Sequence, residues 1–272
     1  TAAGTWNLDK PITLRASAKE ANLDTVCMNS APTRLCLQGH WQDGHGFNAK
    51  AKLDHLAPER FKAFLPPGVA LATSISGEAT ISGKDARTMQ GKINLSVAPS
   101  SLRMETNGQL LHFTLNGGHL QSDLNGRILN TQAKLDLAKT GQVQANLQIE
   151  DPLGTARLNG KINAALTDLS VISLFAPQIQ KVSGQVRADV SATGVLPKLT
   201  LRGEIRLDNA SATLPEAGIQ LQNLQFTAIG TGQGPLQLSG TVRSGSGQLQ
   251  LSGEADPLKP QLVLKIKGQG FQ

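Results

Sequence analysis

Aromatic side chains are nearly missing from this sequence: 272 residues hold no tyrosine, two tryptophans and seven phenylalanines, 3 % in all. Rings normally supply the large blocks that fill cores and anchor interfaces. Without them the 39 % of hydrophobic residues pave a smooth aliphatic surface of leucine, isoleucine, valine and alanine. No apolar run is as long as the ~18 residues a membrane-spanning helix needs. No signal-peptide pattern precedes the first strand signals, and the chain opens at Thr1 rather than at a methionine. It therefore reads as an excised piece of a longer protein whose targeting signal lies elsewhere.

Catalytic signatures are absent as well. There is no Gly-x-Ser-x-Gly elbow, no Walker motif, no His-Glu-x-x-His and no EF-hand loop. Gly230-x-Gly232-x-Gly234 runs into Pro235 between two strand signals, so it is a turn and not a dinucleotide loop. The adjacent carboxylates Glu150 and Asp151 precede Pro152, at a turn where solvated caps are common. No enzymatic activity, cofactor or metal is expected. The net charge of +6 favours anionic partners. However, the basic residues are scattered singly along polar faces, with no lysine or arginine run and no interleaved rings to stack on bases. Nucleic acid is thereby set aside, while anionic lipid headgroups at the rim of an apolar surface remain compatible with the charge.

What the chain does have is alternation. From Val186 and Val190 onward, apolar residues fall on every second position: Leu199, Leu201, Ile205 and Leu207, then Ile219 with Leu221, then Leu224 with Phe226. The pattern resumes at Leu236, Leu238 and Val242, then Leu249 with Leu251, and ends with Leu262, Leu264 and Ile266. Lys198, Thr200, Arg202, Glu204, Gln220, Gln248 and Lys265 occupy the other parity. Successive strand residues face opposite ways, so these are strands with one greasy and one wet face. Asp208-Asn209, Pro215, Gly245 to Gly247 and Asp256-Pro257 mark the turns.

Taken in order, residues 1 to 54 predict about five strands. Cys27 and Cys36 flank Pro32 and suit a disulfide between neighbouring strands, which would indicate an oxidising compartment; two small buried thiols are the alternative. His40-Trp41-Gln42-Asp43-Gly44-His45 reads as a hairpin with Asp43-Gly44 as its two-residue turn, rather than as a metal site. Two short amphipathic helices are expected. The first covers Ala57 to Leu65, with Phe61, Phe64 and Leu65 on one face and Pro66-Pro67 as its stop; the second covers Ser170 to Phe175, with Val171, Leu174 and Phe175 on one face. Their similar surroundings suggest an imperfect repeat starting near residues 53 and 166. Between them lie strands at Lys92 to Val97, Leu110 to Leu115 and Gln142 to Ile149. No linker composition cuts the chain, so residues 1–272 are read as a single continuous segment.

About twenty strands of about eight residues would make a sheet ~25 Å wide and ~95 Å long. Its apolar face cannot stand bare in water at ~25 cal/mol per Å². A sandwich, a barrel and a curled trough are the available solutions, and the shortage of aromatic bulk favours the trough, whose aliphatic lining would dissolve acyl chains. Several stretches carry a family resemblance. Leu207-Asp208-Asn209-Ala210, Leu214-Pro215, Gly218-Ile219-Gln220-Leu221, Leu238-Ser239-Gly240 and Ser244 through Gly253 look like the TamB family, the periplasmic subunit of the translocation and assembly module related to AsmA-like proteins. Leu35-Cys36-Leu37-Gln38-Gly39-His40-Trp41 and the helix-bearing repeats also resemble it. The resemblance implies an internal or C-proximal fragment forming a U-shaped β-taco, all-β with an apolar interior. It implies periplasmic placement in a protein anchored in the inner membrane of a Gram-negative bacterium. It also implies phospholipid acyl chains as cargo between the two membranes and an Omp85-type outer-membrane barrel as partner. The alternative role it carries is a chaperone or scaffold for nascent outer-membrane β-strands in outer-membrane protein or autotransporter assembly.

Overall fold

The computed structural model describes residues 5–57, 69–106, 109–169, 178–195, 198–256, 258–259 and 261–270. The first strands are β1 (Asn7–Leu8), β2 (Leu14–Ala16), β3 (Glu20–Ser30), β4 (Thr33–Gln42) and β5 (Gly46–Leu56). Next come β6 (Val69–Ala72), β7 (Ile75–Gly83), β8 (Gln90–Val97), β9 (Ser100–Thr106) and β10 (Gln109–Leu115). The middle holds β11 (Gly117–Asn125), β12 (Ile128–Asp136), β13 (Gly141–Glu150) and β14 (Arg157–Leu166). The last group is β15 (Gln180–Val195), β16 (Lys198–Leu214), β17 (Ile219–Thr231), β18 (Leu236–Ser244), β19 (Gly247–Asp256) and β20 (Gln261–Gln269).

Seventeen of these strands form one antiparallel sheet. It is a meander from β3 to β20, in which each strand pairs with the next along the chain, save that β5 pairs with β7 and β8 with β11. The short β1 and β2 share the outer edge of β3. Among the described residues β20 pairs with β19 alone, so the sheet is open and not a barrel. The remaining strands make a small separate sheet with β9 between β6 and β10. Chain connections place β6 ahead of β7, β9 behind β8 and β10 ahead of β11, so this small sheet prolongs three neighbouring strands past one rim of the large one.

Three bulges lie side by side near that rim. The β15/β16 register slips between Ser183 and Gln185, the β16/β17 register between Leu207 and Ala210, and the β17/β18 register between Gln222 and Gln225. Asn209 and Asn223 take φ of 49° and 48° there, a conformation asparagine tolerates better than most residues. A bulge bends its strand and increases its twist. Three in a row crease the sheet, and just beyond the crease Ala210 and Val242 are 3 % and 4 % exposed. Elsewhere burial is sparse. Only eight apolar residues among those described are buried, far too few for the core of a two-sheet sandwich.

Two expectations need correction. The fold is all-β, but not a β fold carrying two short amphipathic helices: among the described residues there is no α-helix, only single 3-10 turns at Ala138–Thr140 and Pro215–Ala217. Residues 58–65 and 170–175 lie outside the described residues, and Ala57 is not helical. Six to nine residues of i, i+3, i+4 spacing amount to about two turns, too short a pattern to specify a helix from sequence alone. The β4–β5 turn is also longer than expected, because Gln42 pairs with Gly46 and leaves three residues, Asp43 to His45, in the loop.

Candidate apolar binding face

Side chains of directly paired residues share a face of the sheet, so the register defines the lining. One line across the sheet starts at Leu8 and runs through Met28, Leu35, Leu53, Gly77 and Leu95. It goes on through Leu120, Ala133, Ala145, Ile162 and Val190 to Gly203 and Gly230. Every residue on it is apolar. A parallel line nearer the creased rim holds Ile75, Val97, Gly118, Leu135 and Val143, then Ala164, Ala188, Ile205, Ala228, Leu238, Gly253 and Leu264.

The structure places the sequence-predicted lining residues on this same face. Val186 pairs with Leu207, and Leu201 with Ala192. Ile219 and Leu221 pair with Leu214 and Ala212. Leu236 pairs with Ala255, and Val242 with Leu249. Leu251 pairs with Ile266, and Leu262 with Ala255. Their environments differ. Leu238 and Val242 are buried; Leu262, Leu264 and Ile266 on β20 are 62 %, 45 % and 60 % exposed, and the others are half-buried. The face also extends well beyond the predicted stretch, since Ile81, Ile93 and Ile162 lie on it and stand exposed.

Glycines keep this lining thin. Gly160 sits opposite Leu147, and a Cβ on it would stand 2.5 Å from Leu147 Cδ2. Gly77 sits opposite Leu95, whose Cδ2 would be 2.6 Å from an added Cβ. The leucines thus lie down across their glycine neighbours, so hydrocarbon covers the backbone without filling the space above it. A shallow concavity of about 280 Å³ opens on this face among Leu95, Leu120, Ala133, Leu135, Val143 and Ala145.

Among the described residues, one cross-strand pair across the interior of the lining is polar. Ser122 on β11 stands opposite Thr131 on β12, with Ile93 and Leu147 on either side. Their hydroxyl oxygens are 2.9 Å apart, and Ser122 is 5 % exposed. Sequence reasoning passed over this pair, because each hydroxyl alone reads as one more polar residue.

The opposite face is wet and mixed in charge. Lys50 pairs with Glu78 at 3.5 Å, Lys161 with Asp189 at 3.0 Å and Arg206 with Glu204 at 2.6 Å. Arg127 donates to Asp151 and, together with the Thr155 amide, holds that carboxyl below the usual range; the same contact raises the Arg127 guanidinium. The Thr88 and Arg87 amides lower Asp85 likewise. Carboxylates interleave with the cations, and no group of three or more potential metal ligands occurs among the described residues. No described helix is long and apolar enough to cross a membrane. On this face too lies Cys36 opposite Cys27, the two joined as a disulfide between β3 and β4.

No solved structure matches the chain. A family model for the N-terminal domain of TamB matches residues 1–207, from the first strands into β16. That match covers well over half of the sequence and the greater part of the apolar face, and the chain belongs to the TamB family.

Proposed function

We propose that this chain is a periplasmic segment of an inner-membrane-anchored TamB-family protein, and that its apolar face carries phospholipid acyl chains between the inner and outer membranes. The observation that supports this reading is a one-sided hydrocarbon lining, continuous across the sheet, on which Ile93, Ile162 and Leu264 remain 39 %, 43 % and 45 % exposed. Water contact over such a surface costs ~25 cal/mol per Å². Fatty tails remove that cost without needing shape-specific contacts. The role is non-enzymatic: the lining offers a solvent, not a reacting group. The Cys27–Cys36 disulfide suits an oxidising compartment such as the periplasm, and an Omp85-type barrel is the proposed receiving partner.

Photo-crosslinking tests the reading. A photoreactive residue at Leu201, on the lining, should form phospholipid adducts in cells, whereas one at Arg202, on the wet face, should not. Equal adducts at both sites, or none at Leu201, would overturn it. A second reading rests on β20, whose residues are all exposed and whose outer edge has no partner among the described residues. Such an edge can accept another strand, as a scaffold for outer-membrane protein or autotransporter assembly would require.

A further inference from the structure

The Ser122–Thr131 pair is out of place on the surface it occupies. Away from the rims and bulges, the inward positions of the large sheet are otherwise glycine or hydrocarbon. The hydroxyl Thr33, near a rim, is different in kind, because its Oγ1 donates to the His55 carbonyl at 3.0 Å. Among the described residues, the Ser122 and Thr131 hydroxyls bond only to each other. A hydroxyl donates one hydrogen and accepts through two lone pairs. The mutual bond therefore uses one of two hydrogens, and the second has no acceptor among the described residues. When Ser122 donates, the free hydrogen belongs to Thr131, the more exposed of the two.

A donor facing hydrocarbon is costly unless the occupant brings an acceptor. Acyl chains alone bring none. The ester carbonyl at the head of each chain does, and it is the first polar atom above the hydrocarbon in a diacyl lipid. The surroundings fit that placement. Leu120 and Ala133, two residues from Ser122 and Thr131 on their strands, line the 280 Å³ concavity, so its edge begins ~7 Å from the hydroxyls. An ester held at the pair would lay its chain along a concavity that Leu135 and Val143 also line.

We propose that Ser122 and Thr131 form a binding point for the acyl ester carbonyl of a glycerolipid, a polar rung on an otherwise hydrocarbon wall. The inference rests on the acyl-chain reading above and adds to it a preference for ester-linked over ether-linked lipid.

The test uses the purified chain equilibrated with an equimolar mixture of diester and diether phosphatidylglycerol of identical chain length, with retained lipid quantified by mass spectrometry. The wild type should retain the diester about 2- to 10-fold over the diether, the discrimination one net hydrogen bond supplies. S122A/T131V should bring that ratio to about 1 by lowering the retained diester, since neither replacement can donate to an ester carbonyl. Ser122→Thr, which keeps both hydroxyls, should preserve the preference. Equal retention of the two lipids by the wild type, or an undiminished preference in S122A/T131V, overturns this inference and leaves the acyl-chain reading standing. Retention of neither lipid, or of an added unfolded outer-membrane β-strand peptide in their place, overturns both.

Discussion

Replacing Ile162 with aspartate separates a lipid-bearing wall from an ordinary core. Ile162 stands between Ala145 and Val190 on the lining and is 43 % exposed. Fully burying an isoleucine is worth about 1.5–3 kcal/mol, and slightly more than half of this side chain is removed from water. The substitution should therefore cost about 1–1.5 kcal/mol, lowering the melting temperature by about 2–6 °C for a chain of this size. Lipid binding should suffer far more. An aspartate facing hydrocarbon costs about 2.5–3.5 kcal/mol, which converts to a loss of affinity of about 100-fold. Circular-dichroism melting and mass-spectrometric lipid content of the same preparation read the two effects together, with Ile162→Leu as the neutral control. Wild-type lipid content in Ile162→Asp would refute the reasoning. A collapse in melting temperature well beyond 10 °C would show that protein, not lipid, covers this residue.

Removing the disulfide with C27S/C36S should destabilise the β3–β4 hairpin by about 2–3 kcal/mol, visible as faster amide exchange in residues 20–42 with little change beyond β7. Gly203 has φ of +127° and its missing Cβ would collide with the Asp189 carbonyl oxygen, so Gly203→Ala should cost about 2 kcal/mol or more in a urea titration. The Asp151 carboxyl lies below its ordinary value of 3.8 in the folded chain. Its contribution is thus present above that value and lost as pH falls through the lower folded one. Asp151→Asn should flatten the acid limb of melting temperature below about pH 4, by a small amount, because the pair is exposed.

The last strands were open to reading because Leu199, Leu201 and Ile205 share one parity against Lys198, Thr200, Arg202 and Glu204, and the pairing of β15 through β20 follows chain order. In the middle of the chain the lining was harder to see. Gly77, Gly118 and Gly160 sit on the apolar parity inside strands, yet in sequence a glycine there resembles a break. The family signals complement each other: the quoted resemblance is densest between Leu207 and Gly253, whereas the family match ends at residue 207. No local pattern could show that β6, β9 and β10 leave the main sheet, because that choice depends on which strands meet at a distance. The Ser122–Thr131 pair is a clear case of the same limit, since only register brings the two hydroxyls face to face. The short helical periodicities near Phe61 and Val171 fall outside the described residues, and two turns of pattern are too little to specify a helix from sequence alone.

Whether hydrocarbon occupies the apolar face decides between a lipid-carrying wall and an ordinary sheet. Native mass spectrometry of the chain purified from a bacterial periplasm without detergent measures that directly. At least one diacyl phospholipid bound per chain is the predicted result, lost in Ile162→Asp. A wild-type chain of bare protein mass, with a melting temperature indifferent to added phospholipid, would contradict it.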